Sequence, residues 1–439
     1  MYTKKLGIFL IFCASLFELN AQSNYNSPYT RFGFGRINGL QSAYHLGQGG
    51  LSYTDAHYNQ VNVSNAASYA HIARQLPVFD VAINSELMET SSSSSSRLFK
   101  TTEVANFTLA LPTGKRSGLV FSYQPFSKMG YNVTDSLTTI DSVSQANLYK
   151  GQGSINKLLL GYGHQLYKSD SSNFSVSFGV NASYVFGSLS HLRQQHFESG
   201  SGYLSFLEKD TTNIKSFTFE GGLYAKYSKE KMHYGLGVVY SPTFNLNAKN
   251  EYVSYLYLND INAVVDTLQS SDVQSGTITL PGTLGVAFSV NYNHTFGGGI
   301  QFTQRNMSDY SENFLSATTN SYFTNSNEIN AGFWYKPSKS EFLIQGNSFK
   351  NAVYKAGFRY STLGLNINNV EITEIAASTG INVPLVSSGS FSSINFGIEF
   401  GIRGTKDQSL IEERFIRAKI GIAITPSRTD RWFVKRKYN

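Results

Sequence analysis

The feature that most constrains this chain is a period-2 alternation of apolar and small or polar residues, held over lengths that strands of soluble sheets seldom reach. Phe174, Val176, Phe178, Val180, Ala182, Tyr184 and Phe186 alternate with Ser175, Ser177, Gly179, Asn181 and Ser183. Ile394, Phe396, Ile398, Phe400 and Ile402 repeat the pattern, as do Ile416, Ala418, Ile420, Ile422 and Ile424. Successive strand residues face opposite sides of a sheet, so such a segment has one greasy and one polar face. A strand crossing a bilayer at a tilt needs about 9–11 residues of this kind, one face toward lipid and one toward a lumen. Soluble sandwiches use strands of about 5–6 residues and more proline in their turns, whereas this chain has only 9 Pro in 439 residues. The expected fold class is all-β, a transmembrane antiparallel β-barrel.

Composition excludes the competitors. Charged residues are 15% of the chain against roughly 25% in average soluble proteins, and aromatics are 14%. The mean hydropathy of −0.22 is too polar for a helical bundle, and no apolar run of about 20 residues follows the N-terminus. Abundant aromatics with 38 scattered Gly do not fit a disordered chain or a coiled coil.

Met1 to Lys5 carry two lysines, Leu6 to Phe17 are apolar, and Leu19-Asn20-Ala21 offers a small residue at a cleavage site. This reads as a secretory signal peptide over residues 1–21. Cys13, the only cysteine, falls inside it behind Phe12, where a lipoprotein signal would have a small residue. The exported chain is therefore expected to hold no disulfide and no cysteine metal site. The formal charge of +7 is concentrated in part in a tail, 426–439, with Arg428, Arg431, Lys435, Arg436 and Lys437. An exported chain without a basic stripe through its body is not expected to bind nucleic acid. A basic periplasmic tail facing anionic membrane lipid is the expectation.

Between 76 and 425 the pattern gives about fourteen strands, among them 117–130, 154–167, 173–188, 213–228, 232–248 and 276–292. Short links such as 168–172, 229–231 and 293–294 alternate with long polar ones at 131–153, 190–212, 250–275 and 309–326. Outer-membrane barrels pair short periplasmic turns with long extracellular loops and have an even strand number. Both termini are thus expected in the periplasm of a Gram-negative cell. Residues 22–75 do not alternate and are rich in Gly, Asn, Tyr and Ser. Because a barrel of this size has a lumen to fill, they are expected to form a hatch inside it.

By strand phase, Arg359, Glu399, Arg403, Arg417 and Lys419 point inward, with Lys157, Glu220, Lys226, Lys355 and Glu374, since Arg or Lys facing mid-membrane lipid costs about 2–4 kcal/mol. Two uses are open to them: holding a ligand carboxylate, or forming salt bridges that anchor the hatch. In the third strand, Gln124 is followed by Pro125, which has no N–H for a ladder. A closed barrel has no edge to hide a proline, so the ladder opens or bulges there, or the strand ends at Gln124. Catalytic signatures are thin. Gly47, Gly49 and Gly50 lack the flanking strand and helix of a dinucleotide loop and read as a tight turn. No Gly-x-Ser-x-Gly elbow occurs, and His191 with His196 lacks a third ligand. No enzyme, cofactor or metal is expected.

Tyr29-Thr30-Arg31-Phe32-Gly33-Phe34-Gly35, Gly47-Gln48-Gly49-Gly50 and Asn65-Ala66-Ala67-Ser68-Tyr69-Ala70 together resemble the N-terminal hatch of the FadL family. Asn65 and Ala67 match that family's Asn-Pro-Ala element, with Ala66 in place of the proline. Leu280-Pro281-Gly282-Thr283-Leu284-Gly285 is similar to its mid-barrel segment. The resemblance implies an outer-membrane channel for hydrophobic small molecules such as long-chain fatty acids, released by hatch rearrangement. It also implies that a kink in the third strand, here Gln124–Pro125, makes a lateral opening. The alternative is a protein-binding barrel serving a secretion system, as in PorV-like members of the same fold.

Overall fold

The computed structural model describes residues 26–37, 42–74, 76–135, 138–140, 143–169, 173–198, 201–258, 263–270, 272–314, 322–338, 349–385 and 391–426. The expected signal peptide and all but the first residue of the basic tail lie outside them. Fourteen antiparallel strands form the barrel. They are β1 (Val78–Ser91), β2 (Ser96–Pro112), β3 (Ser117–Thr134), β4 (Val143–Ser169), β5 (Phe174–Phe197), β6 (Ser205–Lys229) and β7 (Met232–Ser241 continued by Phe244–Leu258). There follow β8 (Gln274–Leu280 continued by Thr283–Tyr292), β9 (Phe296–Arg305), β10 (Ser326–Tyr335), β11 (Val353–Ile367), β12 (Val370–Pro384), β13 (Ser393–Arg403) and β14 (Glu412–Ile424). The ladder from β14 to β1, Glu412 opposite Ser91 through Ile424 opposite Phe79, closes the ring. An even strand count puts both ends of the barrel at one rim.

The alternation sorts as lipid and lumen demand. Val180, Phe217, Ile300, Phe333 and Ile416 stand exposed on the outer wall, while Asn181, Ser183, Asn330 and Arg417 are buried inside. The interruptions in β7 and β8 face each other. Leu280 pairs with Phe244 and Thr283 with Ser241 in one continuous register, so Pro242 and Pro281 remove donors without shifting the ladder. Two hairpins, at Asn293-His294 and Asn368-Asn369, place both loop residues at positive φ, the conformation that matches the twist of the flanking strands.

Among the described residues, three of the long polar connections expected from sequence are mostly strand. β4 begins at Val143, β5 runs to Phe197 and β6 starts at Ser205. β7 runs to Leu258 and is flanked by a further strand, Ala263–Ser270. At 24 to 27 residues, β4 to β6 far exceed what a bilayer crossing needs. The extra length forms a sheet projecting from the rim opposite Val78 and Ile424, the start of β1 and the end of β14. The alternation that marks a strand in lipid vanishes above the membrane, where both faces meet water, while backbone pairing continues unmarked.

Residues 42–74 thread the lumen. The helical turn Ala43–Leu46 lies against β12, β13 and β14, and the 3-10 segment Ala66–His71 against β4, β5 and β6. The Gly47-x-Gly49-Gly50 turn seats the chain flush on the wall. A Cβ on Gly47 would fall 2.7 Å from Gly380 Cα, and Gly49 combines φ of +68° with a Cβ position 2.7 Å from Phe358 O. Only glycine meets both demands at position 49.

Candidate functional site

Asn65, Ala66 and Ala67 are buried to the last few per cent. The Asn65 side chain caps its 3-10 segment, accepting from Ala67 N at 3.0 Å and donating to Tyr53 O (2.8 Å) and Leu223 O of β6 (3.1 Å). Ala66 lies directly on Gly163 and Gly179 of β4 and β5. Nearby, Asp55 lies between His45 (2.9 Å) and His57 (2.6 Å), while Ser42 Oγ reaches His45 Nδ1 at 2.9 Å. Lys355 donates to Tyr44 O at 2.8 Å and so ties this cluster to β11.

Burial pushes the Asp55 carboxyl up, but His57 and His45 outweigh it and hold it well below the usual carboxylate range. Burial lowers His45, partly opposed by Asp55, and burial with Lys226 lowers His71 to about 4. An opened hatch would take up protons on both histidines near pH 6.5, where the seated hatch does not. The seated state is therefore fully stable above about pH 6.5 and weakens as pH falls toward 4; the Asp55 contribution is lost only below its unfolded value, near pH 4. Protection over 42–72, taken relative to the intrinsic exchange rate at each pH, should fall between pH 6.5 and 4.5 while that of the strand ladders holds. Protection unchanged over that interval would contradict the assignment.

The inward charges of the last strands form one lattice. Arg359 Nη2 meets Glu374 (2.5 Å) and Glu399 (2.8 Å); Arg403 meets Glu374 (2.5 Å) and Glu413 (2.7 Å); Arg417 meets Glu86 of β1 (2.9 Å) and Glu399 (2.5 Å). Arg36 of the hatch joins through Glu86 at 2.9 Å, and Ser27 donates to Glu413 at 2.5 Å. Phe415 lies beneath the guanidiniums of Arg36, Arg403 and Arg417. Of the five lumen charges singled out from sequence, Arg359, Glu399, Arg403 and Arg417 come together here, and Lys419 lines the adjoining cavity. Arg403 takes its carboxylates from the neighbouring strands, Glu374 and Glu413, while Glu399 of its own strand serves Arg359 and Arg417. Glu86 and Phe415 carried the same inward phase in sequence and could have been named. Arg36 had no periodic signal to find.

The cavity beside this lattice has a volume of about 190 Å³. Glu86, Arg359, Arg417 and Lys419 line it together with the apolar Phe32, Ile37, Met307 and Leu365. Toward the projecting sheet the lumen is packed with Phe34, Ile155, Val185, Ile214, Leu246, Ile278 and Tyr310. Gln124 and Pro125 also border the cavity. There β3 continues to Thr134, but its ladder to β4 slips by one residue between Pro125 and Ser127. Its ladder to β2 ends at Tyr123 opposite Phe107. Beyond that point, among the described residues, β2 pairs only with β1, and β3 takes a two-residue strand of the hatch, Ile37 opposite Ser127 and Arg36 opposite Lys128. Lys128 reaches across to Glu103 of β2 at 3.0 Å. Gln124 Nε2 and Asn84 Oδ1 are buried at this cavity with no hydrogen-bond partner. His191 bonds Tyr131 at 2.8 Å, and among the described residues no group of three or more His, Cys, Asp or Glu side chains is arranged so that it could hold a metal ion.

The family model described as BamG matches residues 2–439. The chain belongs to the BamG family. No curated protein matches this BamG-family sequence. Its fold is that of the FadL-type outer-membrane β-barrels. A FadL homologue from Pseudomonas aeruginosa superposes with a TM-score of 0.62 at 12% identity, covering 89% of this chain and 99% of that one. The toluene transporter TodX of P. putida gives 0.57 at 14% (89% and 99%), and the toluene transporter TbuX of Ralstonia pickettii gives 0.52 at 11% (87% and 97%).

Proposed function

We propose that this BamG-family barrel admits compact hydrophobic or amphipathic molecules to its lumenal cavity and releases them sideways between β2 and β3. The observation that carries this reading is the parting of β2 from β3 above Phe107 and Tyr123, with the cavity directly behind it. Backbone groups in the hydrocarbon layer require partners, and the hatch strand Arg36–Ile37 supplies them to β3. That strand acts as a bolt, tied to the wall by Arg36 and Glu86. The cavity sets the size of the cargo. Sites for drug-sized ligands hold about 300–1,000 Å³, so 190 Å³ suits a molecule near the size of one aromatic ring. A whole long-chain fatty acid does not fit in it. The lattice arginines already have carboxylate partners, which favours an uncharged cargo. In this reading the rim at Val78 and Ile424 is periplasmic and the projecting sheet is extracellular, and the first described residues, Asn26 and Ser27, lie against Asn132 and Gly130 in the extracellular half of the lumen, contrary to the expectation that both termini are periplasmic.

Replacing Pro125 with Val is expected to restore a ladder donor and straighten the bulge. Uptake of labelled toluene into cells carrying the folded variant should fall severalfold. Undiminished uptake would remove Pro125 from the exit route.

A second reading, a barrel that binds protein partners, is favoured by a different observation. The lumen is packed with side chains beneath the projecting sheet, and that sheet offers far more surface than a small ligand needs.

A further inference from the structure

Three buried polar atoms at the lumenal cavity have no hydrogen-bond partner among the described residues: Gln124 Nε2 of β3, Asn84 Oδ1 of β1 and Arg417 Nη2 of β14. All three side chains line the cavity, and they are 4%, 7% and 8% exposed. A buried donor or acceptor left without a partner is costly. The Asn84 amide is oriented by its own Nδ2, which donates to Glu103 at 3.2 Å, so its oxygen is the end left over. In the β14–β1 ladder Asn84 stands opposite Lys419 and Arg417 opposite Glu86, which makes Asn84 and Arg417 diagonal neighbours on the inner face. Gln124 is the first residue of β3 beyond the end of its ladder to β2. The unpartnered groups thus flank the seam on both sides.

We propose that the cargo of this cavity is a compact hydroxyl compound, a phenol or an alcohol of similar size. Its hydroxyl donates to Asn84 Oδ1 and accepts from Gln124 Nε2 or Arg417 Nη2, while its hydrocarbon part lies on the apolar lining. The inference rests on the uptake reading and names its substrate class. Toluene has the right size but leaves all three groups unpaired, and a site built to bond a hydroxyl discriminates against the analogue that lacks it. A carboxylate could accept from both donors but has no proton for Asn84. It would also stand beside Glu86 and Glu399, which already take up the charge of Arg417 through Nε and Nη1. A phenol titrates near the tyrosine value of about 10 and is uncharged at neutral pH.

The test is equilibrium dialysis of the full exported chain in detergent against labelled phenol, toluene and benzoate, with protein-free micelles as the blank. Phenol is expected to bind roughly tenfold or more tightly than either of the others, the value of one hydrogen bond to a buried group. Asn84→Leu and Gln124→Leu, each close in volume to the residue replaced, should reverse the order of phenol and toluene in barrels that keep their folded mobility shift. Toluene bound as tightly as phenol by the unaltered protein would overturn the hydroxyl while sparing the uptake reading; that is the result if water or the chain's own residues 38–41 serve these groups. Benzoate bound most tightly, or a phenol preference that survives in both folded variants, would overturn it as well. Binding of none of the three would overturn both the hydroxyl and the uptake reading.

Discussion

Replacing Glu399 with Gln should destabilise the barrel by about 3–5 kcal/mol, the usual consequence of leaving a buried charge without its partner. Glu399 is 1% exposed. One of its oxygens accepts from Arg359 Nε and Nη2, and the other from Arg417 Nη1. A neutral amide removes the charge that both guanidiniums share and offers one of them a donor where it needs an acceptor. Glu374 and Glu86 would remain for Arg359 and Arg417, so the fold should persist with a lowered midpoint in urea. The measurement is the urea midpoint of detergent-solubilised protein, followed by the mobility shift between folded and unfolded barrel. A loss below about 1 kcal/mol would mean that water in the adjoining cavity replaces the carboxylate, and that the lattice is not what holds β11 to β14 and β1 together.

Locking the hatch strand to β3 should abolish passage. Ile37 and Ser127 are directly opposed in an antiparallel pair, and such positions are close enough for a disulfide. The only native cysteine is Cys13, in the expected signal peptide, so Ile37→Cys with Ser127→Cys introduces an unambiguous pair. Oxidised, the double variant is expected to lose at least tenfold in toluene uptake; reduced, it should recover. Full uptake with the disulfide demonstrably formed would rule out the β2–β3 seam as the exit. Loss of uptake that a reductant does not reverse would point to damaged folding, and each single-cysteine variant reports that separately.

The two variants probe features that differ in how far they could be read from the chain. The inward phase of Arg359, Glu399, Arg403 and Arg417 follows from alternation alone, because lipid tolerates few charges on the opposite face. Their pairing does not. Whether Arg403 meets Glu399 on its own strand or Glu374 and Glu413 on its neighbours depends on register across the barrel, and no local pattern encodes that. Pro125 announced a disturbed ladder. That the disturbance is a one-residue bulge toward β4 and a parting from β2, with the hatch strand filling in, required the folded wall.

The sequence by itself determined the fourteen strands, the lipid and lumen faces, and a glycine-rich segment suited to the lumen. Each is a local demand that lipid, water or a tight backbone approach makes on single residues. Only the tertiary structure decided what the hatch grips. Arg36 meets Glu86 across 50 residues of chain, and Ser27 meets Glu413 across 386; such contacts exist only once the barrel has closed around the segment. It also decided where the strands end. Above the membrane both faces of a strand are wet, the period-2 signal disappears, and backbone hydrogen bonding alone carries β4 to β7 onward into the projecting sheet.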